Sequence, residues 1–148
     1  LRRMAGGAPI PRSALVLGSG GAAQAVDAAL RALGVDTTFV SRKAASGCIA
    51  YADAVGEAVR DRLLVVNCTP LGMWPDILSA PDIDYTALTP QHLCFDLVYN
   101  PDPTMFMRLA ASHGARTCSG LEMLRLQAEG AWRIWQGEEP ASMDYSKL

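Results

Sequence analysis

The feature that most constrains this chain is the run Ser13-Ala-Leu-Val-Leu17 followed at once by Gly18-Ser-Gly20-Gly-Ala-Ala23. A short continuous apolar run ending in glycines is the pattern of a strand buried on both faces. The glycines open an amphipathic segment with Ala22, Val26, Ala29, Leu30 and Leu33 on one helical face, stopped by Gly34. Strand, glycine turn and helix in that order suit a nucleotide phosphate. Gly18 permits the tight turn, Gly20 lets backbone approach a pyrophosphate, and Ala23 is small enough for the helix to pack on a sheet. The helix amino terminus adds free N–H donors and the positive end of its dipole. The competing reading is a turn with a structural role alone.

The rest of the chain alternates in the same way. Thr37–Val40 reads as a β-branched and aromatic strand, Cys48–Tyr51 as a minimal third strand, and Ala52–Arg60 as a small helix. Leu63–Asn67 is a second clear buried strand, followed by a proline-rich loop from Thr69 to Pro90 with one helical turn near Tyr85–Leu88. Leu93–Val98 continues as strand, Thr104–Ser112 as a helix closed by Gly114, and Arg116–Cys118 as a short last strand. Leu121–Gln136 is expected to be a long helix with Leu121, Leu124, Ala128, Ala131 and Trp135 facing the core. Strands alternating with helices predict a parallel sheet covered on both faces. Right-handed crossovers then favour an α/β, Rossmann-type doubly wound arrangement.

A chain of 148 residues is the size of one domain, here expected as a core over 13–136 with a frayed tail over 141–148. The formal charge of −2 supplies no long-range field for nucleic acid or an anionic membrane. No apolar run has the length of a membrane span. Cys48, Cys68, Cys94 and Cys118 stand 20, 26 and 24 residues apart, without the spacing of a zinc or redox motif. They read as reduced, partly buried thiols of a cytoplasmic protein, and no metal is expected. Leu1-Arg2-Arg3-Met4 reads as the end of a helix already under way, broken by Gly6-Gly7-Ala8-Pro9, as in a chain cut from a longer one; a surface tail is the alternative.

The end of the second strand bears on the choice of dinucleotide. Folds that bind NAD usually place Asp or Glu there to hold the ribose hydroxyls. This chain has Val40-Ser41 followed by Arg42-Lys43, and Asp36 lies at the wrong end of the strand. A hydroxyl and two cations suit a 2′-phosphate, which points to NADP. Otherwise Arg42 and Lys43 are ordinary solvated loop charges.

Several motifs together resemble the shikimate dehydrogenase family. They are Gly18-Ser-Gly-Gly-Ala22, Ser41-Arg-Lys43, Asn67-Cys-Thr-Pro-Leu-Gly-Met73, Asp96-Leu-Val-Tyr-Asn-Pro101 with Thr104 and Phe106, and Gly120-Leu-Glu-Met-Leu124 leading to Gln127. They fall in the family's order. The first is generic to dinucleotide binders; the third, fourth and fifth are far more specific.

The resemblance implies reversible hydride transfer between NADPH and 3-dehydroshikimate, a step of aromatic amino-acid biosynthesis. It implies that Gly18, Ser19, Gly20, Gly21 and Ala22 surround the pyrophosphate, and that Ser41, Arg42 and Lys43 lie by the 2′-phosphate. Thr69, Pro70, Leu71 and Met73 would line the path of the ribose and nicotinamide. Gly120 would meet the carboxamide and Met123 the nicotinamide ring. Tyr99 and Gln127 match positions that reach the substrate; the alternatives are a packing aromatic and a solvated helix residue. The resemblance further implies that the proton-relay Lys and Asp belong to an amino-terminal substrate domain, which this chain is expected to lack. No catalytic residue is therefore expected here, and His92 and His113 fall away from the cleft. Two further readings stay open: a quinate/shikimate-type paralogue or other NADP-dependent reductase, and a nucleotide-sensing domain without catalysis.

Overall fold

A computed structural model of the chain describes residues 9–42 and 47–137. The expected helical start at Leu1–Met4, Lys43 and the tail from Ala141 lie outside the described residues.

Three strands follow directly from apolar runs, β1 (Ser13–Leu17), β4 (Leu64–Asn67) and β5 (Leu93–Asp96), and β2 (Asp36–Ser41) from a β-branched and aromatic segment. Two shorter ones, β3 (Cys48–Ala50) and β6 (Arg116–Ser119), complete a six-stranded sheet of order β3-β2-β1-β4-β5-β6. Every neighbouring pair is parallel. This is the doubly wound, Rossmann-type order, with its topological switch between β1 and β4.

The helices are α1 (Gly21–Ala32), the single turn α2 (Glu57–Arg60), α3 (Met105–Ser112) and α4 (Leu121–Trp135), with short 3-10 turns at Tyr51–Asp53 and Tyr85–Ala87. The helix expected over Ala52–Arg60 is thus divided in two. The division falls around Gly56, whose φ of +52° is incompatible with a helical turn.

Alternation along β1 shows how the layers form. Ala14 and Val16 face one cluster with Ala23 and Leu30 of α1. Leu15 and Leu17 face the other, with Val59 of α2 and Phe106, Met107 and Ala110 of α3. Both faces of the strand are sealed, so polar alternation has no place in it. Full burial of each such side chain is worth about 1.5–3 kcal/mol. Among the described residues, no helix is long and apolar enough to cross a membrane.

Two faces differ from expectation. In α1 the buried stripe is Ala23 and Leu30, flanked by the partly buried Val26 and Leu33, while Ala22 and Ala29 are exposed. Helical spacing fits either alanine series, and alanine is too small to weight one against the other. In α4 the expected core-facing stripe is not buried at all: Leu121, Leu124 and Trp135 are exposed, the last at 80%. The described residues provide no layer for that face to cover.

Candidate functional site

Parallel strands deliver all their carboxyl ends to one edge, and the loops leaving β1, β4, β5 and β6 meet there. Gly18 turns sharply off β1 with φ +104°, donating its N–H to the Val40 carbonyl at 2.7 Å. A Cβ at Gly18 would meet Thr69 Cγ2 at 3.3 Å and the Cys68 carbonyl oxygen at 3.4 Å. The glycine loop and the loop after β4 are therefore in contact across the switch point, where open α/β sheets bind their ligands.

Ser19, Gly20, Gly21 and Ala22 are exposed above this contact. Gly20 caps α1 without a side chain, and no acidic residue stands in the first turn. The N–H groups of that turn therefore lie open to an anion. Nothing lies within 4 Å of where a Gly20 Cβ would stand. The cradle fits a pyrophosphate.

At the end of β2, Ser41 accepts a hydrogen bond from the Cys48 thiol at 3.2 Å, and Arg42 is exposed. Asp36 opens β2 opposite Ser13, at the far end of the strand. Tyr51 belongs to this corner: burial pushes its hydroxyl pKa up, and the charge of Arg42 opposes the rise. Neither Tyr51 nor Cys48 was a sequence candidate, since only the pairing of β3 with β2 brings them beside the Ser41–Arg42 pair.

The loop after β4 is tied from below. Asn67, fully buried, accepts from the Thr69 N–H at 3.0 Å and from its hydroxyl at 2.6 Å. The Thr69 hydroxyl oxygen accepts in turn from the Leu71 N–H at 3.3 Å. Pro70 and Met73 are exposed and Leu71 half-buried along this loop. Asn67 donates its amide to Asp96 at 2.9 Å, joining β4 to β5. Asp96 also accepts from the Val98 N–H and from the Thr104 hydroxyl that caps α3. Asn67, Asp96 and Thr104 stood inside recognised motifs, but their roles were not read from them. Their partners lie on different strands, and no local spacing reveals the match.

Tyr99 follows this network and is 47% exposed, an aromatic presented outward rather than packed. Gly120 is buried against Leu97, and Met123 packs partly buried against the core cluster that includes Phe95. Gln127 is exposed on α4, beside a stripe that is itself exposed where it was expected to face the core.

The histidines stand apart from the site. His92 is fully buried at the amino end of β5, its Nδ1 accepting from the Thr89 N–H at 3.0 Å and its Nε2 meeting the Val59 carbonyl at 3.3 Å. His113 caps the carboxyl end of α3. Burial pushes the Cys68 thiol up to about 12, with Asp96 adding to the effect, and the Cys94 thiol also up to about 12. Both are protonated at neutral pH, so neither is a ready nucleophile. Among the described residues, no group of His, Cys, Asp and Glu is placed to hold a metal ion.

No family model matches the chain. A curated relative from Desulforamulus reducens, named shikimate dehydrogenase (NADP(+)), is 35% identical over 147 residues, covering 87% of this chain and 50% of the relative. Among solved structures, shikimate 5-dehydrogenase from Thermus thermophilus, in complex with NADP(H) and shikimate, superposes with a TM-score of 0.75. It is 34% identical and covers 93% of this chain and 54% of its own. Quinate dehydrogenase from Corynebacterium glutamicum, in complex with NAD, gives 0.79 at 25% identity, with 92% and 53% covered. The chain thus spans about half the length of the curated relatives it matches. By sequence and by fold, it belongs to the shikimate dehydrogenase family.

Proposed function

We propose that this chain is the NADP-binding domain of a shikimate dehydrogenase, the enzyme that interconverts 3-dehydroshikimate and shikimate. One observation carries the reading: the glycine loop and the Thr69 loop meet at the β1/β4 switch, beside a β2 end that offers Ser41 and Arg42 in place of an acid. Gly18, Ser19, Gly20, Gly21 and Ala22 would hold the pyrophosphate. Ser41 and Arg42, with Lys43 beyond the described residues, would hold the 2′-phosphate. Thr69, Pro70, Leu71 and Met73 would line the nicotinamide end, with Gly120 at the carboxamide and Met123 at the ring.

The cofactor, when bound, supplies or accepts the hydride. This chain's residues orient it and present Tyr99 and Gln127 toward the substrate. The outward exposure of both side chains agrees with contact to a ligand held between this domain and another. The proton relay would come from a second domain. A cytoplasmic location and a place in aromatic amino-acid biosynthesis belong to the same proposal and follow from the family.

Calorimetric titration of the chain with NADP and with NAD tests the reading. Saturable binding that favours NADP is expected. Equal binding of the two would overturn it, since the Ser41–Arg42 corner would then make no distinction.

A further inference from the structure

The proposed cofactor role leaves a fully buried carboxyl group of the site unused. Asp96 is fully buried at the end of β5, with no accessible surface through which to meet a ligand. Its Oδ1 accepts from Asn67 Nδ2 at 2.9 Å and from the Val98 N–H at 3.0 Å. Its Oδ2 accepts from the Thr104 hydroxyl at 2.6 Å. That hydroxyl oxygen accepts in its turn from the Met107 N–H at 3.3 Å, so its own proton is directed at Asp96. All three groups donate here, and an ionised carboxylate accepts from them together. An amide keeps one accepting oxygen, so the Thr104 hydroxyl would have to reverse its role and its bond would lose the charge of the carboxylate.

A buried carboxylate is costly without such partners. Here burial pushes the Asp96 pKa up, while hydrogen bonds from Thr104, Val98 and Asn67 oppose the rise. The segments these bonds reach bear directly on function. Asn67 holds the main chain and side chain of Thr69, at the head of the loop proposed for the nicotinamide end. Val98 immediately precedes Tyr99, the residue proposed to face the substrate.

We propose that Asp96 is a positioning residue whose carboxylate locks the loop after β4 to the segment after β5, so that the nicotinamide-side loop and Tyr99 hold one fixed register. The inference rests on the NADP reading for its functional meaning, whereas the lock itself is tested without any ligand.

Amide hydrogen exchange measured by NMR on the chain reads the lock. Asp96→Asn should speed exchange at the Thr69 and Val98 N–H groups together. If that variant does not fold, Asn67→Ala and Thr104→Val replace it. Asn67→Ala should then speed exchange at Val98, and Thr104→Val at Thr69, although neither residue touches the amide it affects. Each variant disturbing only its own neighbours would overturn the lock.

Binding reads its consequence, with NADP and adenosine 2′,5′-bisphosphate as probes. The second probe lacks the nicotinamide half. Asp96→Asn, or the replacement pair, should weaken NADP by about threefold to tenfold, the loss of one neutral hydrogen bond, and leave the bisphosphate unchanged. Equal weakening of both would show a general structural role and overturn the positioning role. A wild-type chain that binds neither probe would sink the NADP reading instead, with the exchange result still deciding the lock.

Discussion

Gly120 and Leu97 approach so closely that a Cβ on Gly120 would collide with the Leu97 carbonyl oxygen and stand 2.9 Å from its carbon. The backbone of Gly120 is ordinary, with φ −72° and ψ 0°, so contact rather than conformation demands the glycine. The contact fastens the turn into α4 onto the segment after β5, and the obstructing atoms are main chain.

Because main chain cannot swing aside, Gly120→Ala should act as overpacking and destabilise the chain by about 1–3 kcal/mol. Urea denaturation followed by circular dichroism measures this. An unchanged midpoint would show that the two segments slide apart without penalty.

Gly20→Ala makes the opposite case. Its φ of −79° suits any residue and nothing lies within 4 Å of the added methyl. Stability should change by less than about 1 kcal/mol, the modest loss expected of alanine at a helix cap. NADP affinity should fall at least about tenfold, because the methyl occupies the space through which a pyrophosphate approaches backbone. Normal NADP affinity in this variant would place the phosphates elsewhere.

Ser41→Asp combined with Arg42→Ala should erase or invert the preference for NADP over NAD. A charge-assisted hydrogen bond contributes about 1.5–3 kcal/mol. Two on an exposed corner, weakened by solvent screening, suggest a preference of about 10- to 1,000-fold in the wild type that shrinks as salt rises. Titrations at two salt concentrations check both statements. A preference independent of salt would assign discrimination to something other than the Arg42 charge.

Asp96 sets a pH dependence whose sign follows from its raised pKa. The unfolded carboxyl loses its proton near pH 4 and the native one at higher pH. The native state therefore binds the proton more tightly, and the stability this contributes is fully present below about pH 4 and lost as pH rises through the native value. Relative to Asp96→Asn, the wild type should lose thermal stability as pH climbs from about 4, then run parallel to the variant. Melting curves from pH 3.5 to 8 on both proteins test this. A difference moving in the wild type's favour would mean that the three donors outweigh burial.

The β-α-β opening of the fold and the dinucleotide reading were legible between Ser13 and Arg42, and the strands and helices alternating beyond them gave the doubly wound arrangement. A strand sealed on both faces has to be continuously apolar, a turn with φ +104° selects glycine at Gly18, and a strand ending in Ser41-Arg42 announces its charge locally. Each is a demand that neighbouring residues satisfy among themselves. Tertiary structure alone decided the rest. Asn67 and Asp96 are 29 positions apart and meet because β4 and β5 pair in one register. Tyr51 comes to Arg42 only through the pairing of β3 with β2. The apolar stripe of α4 shows the same division from the other side. Its helical period was written in the sequence, but burial requires an opposing surface, and period alone does not supply one.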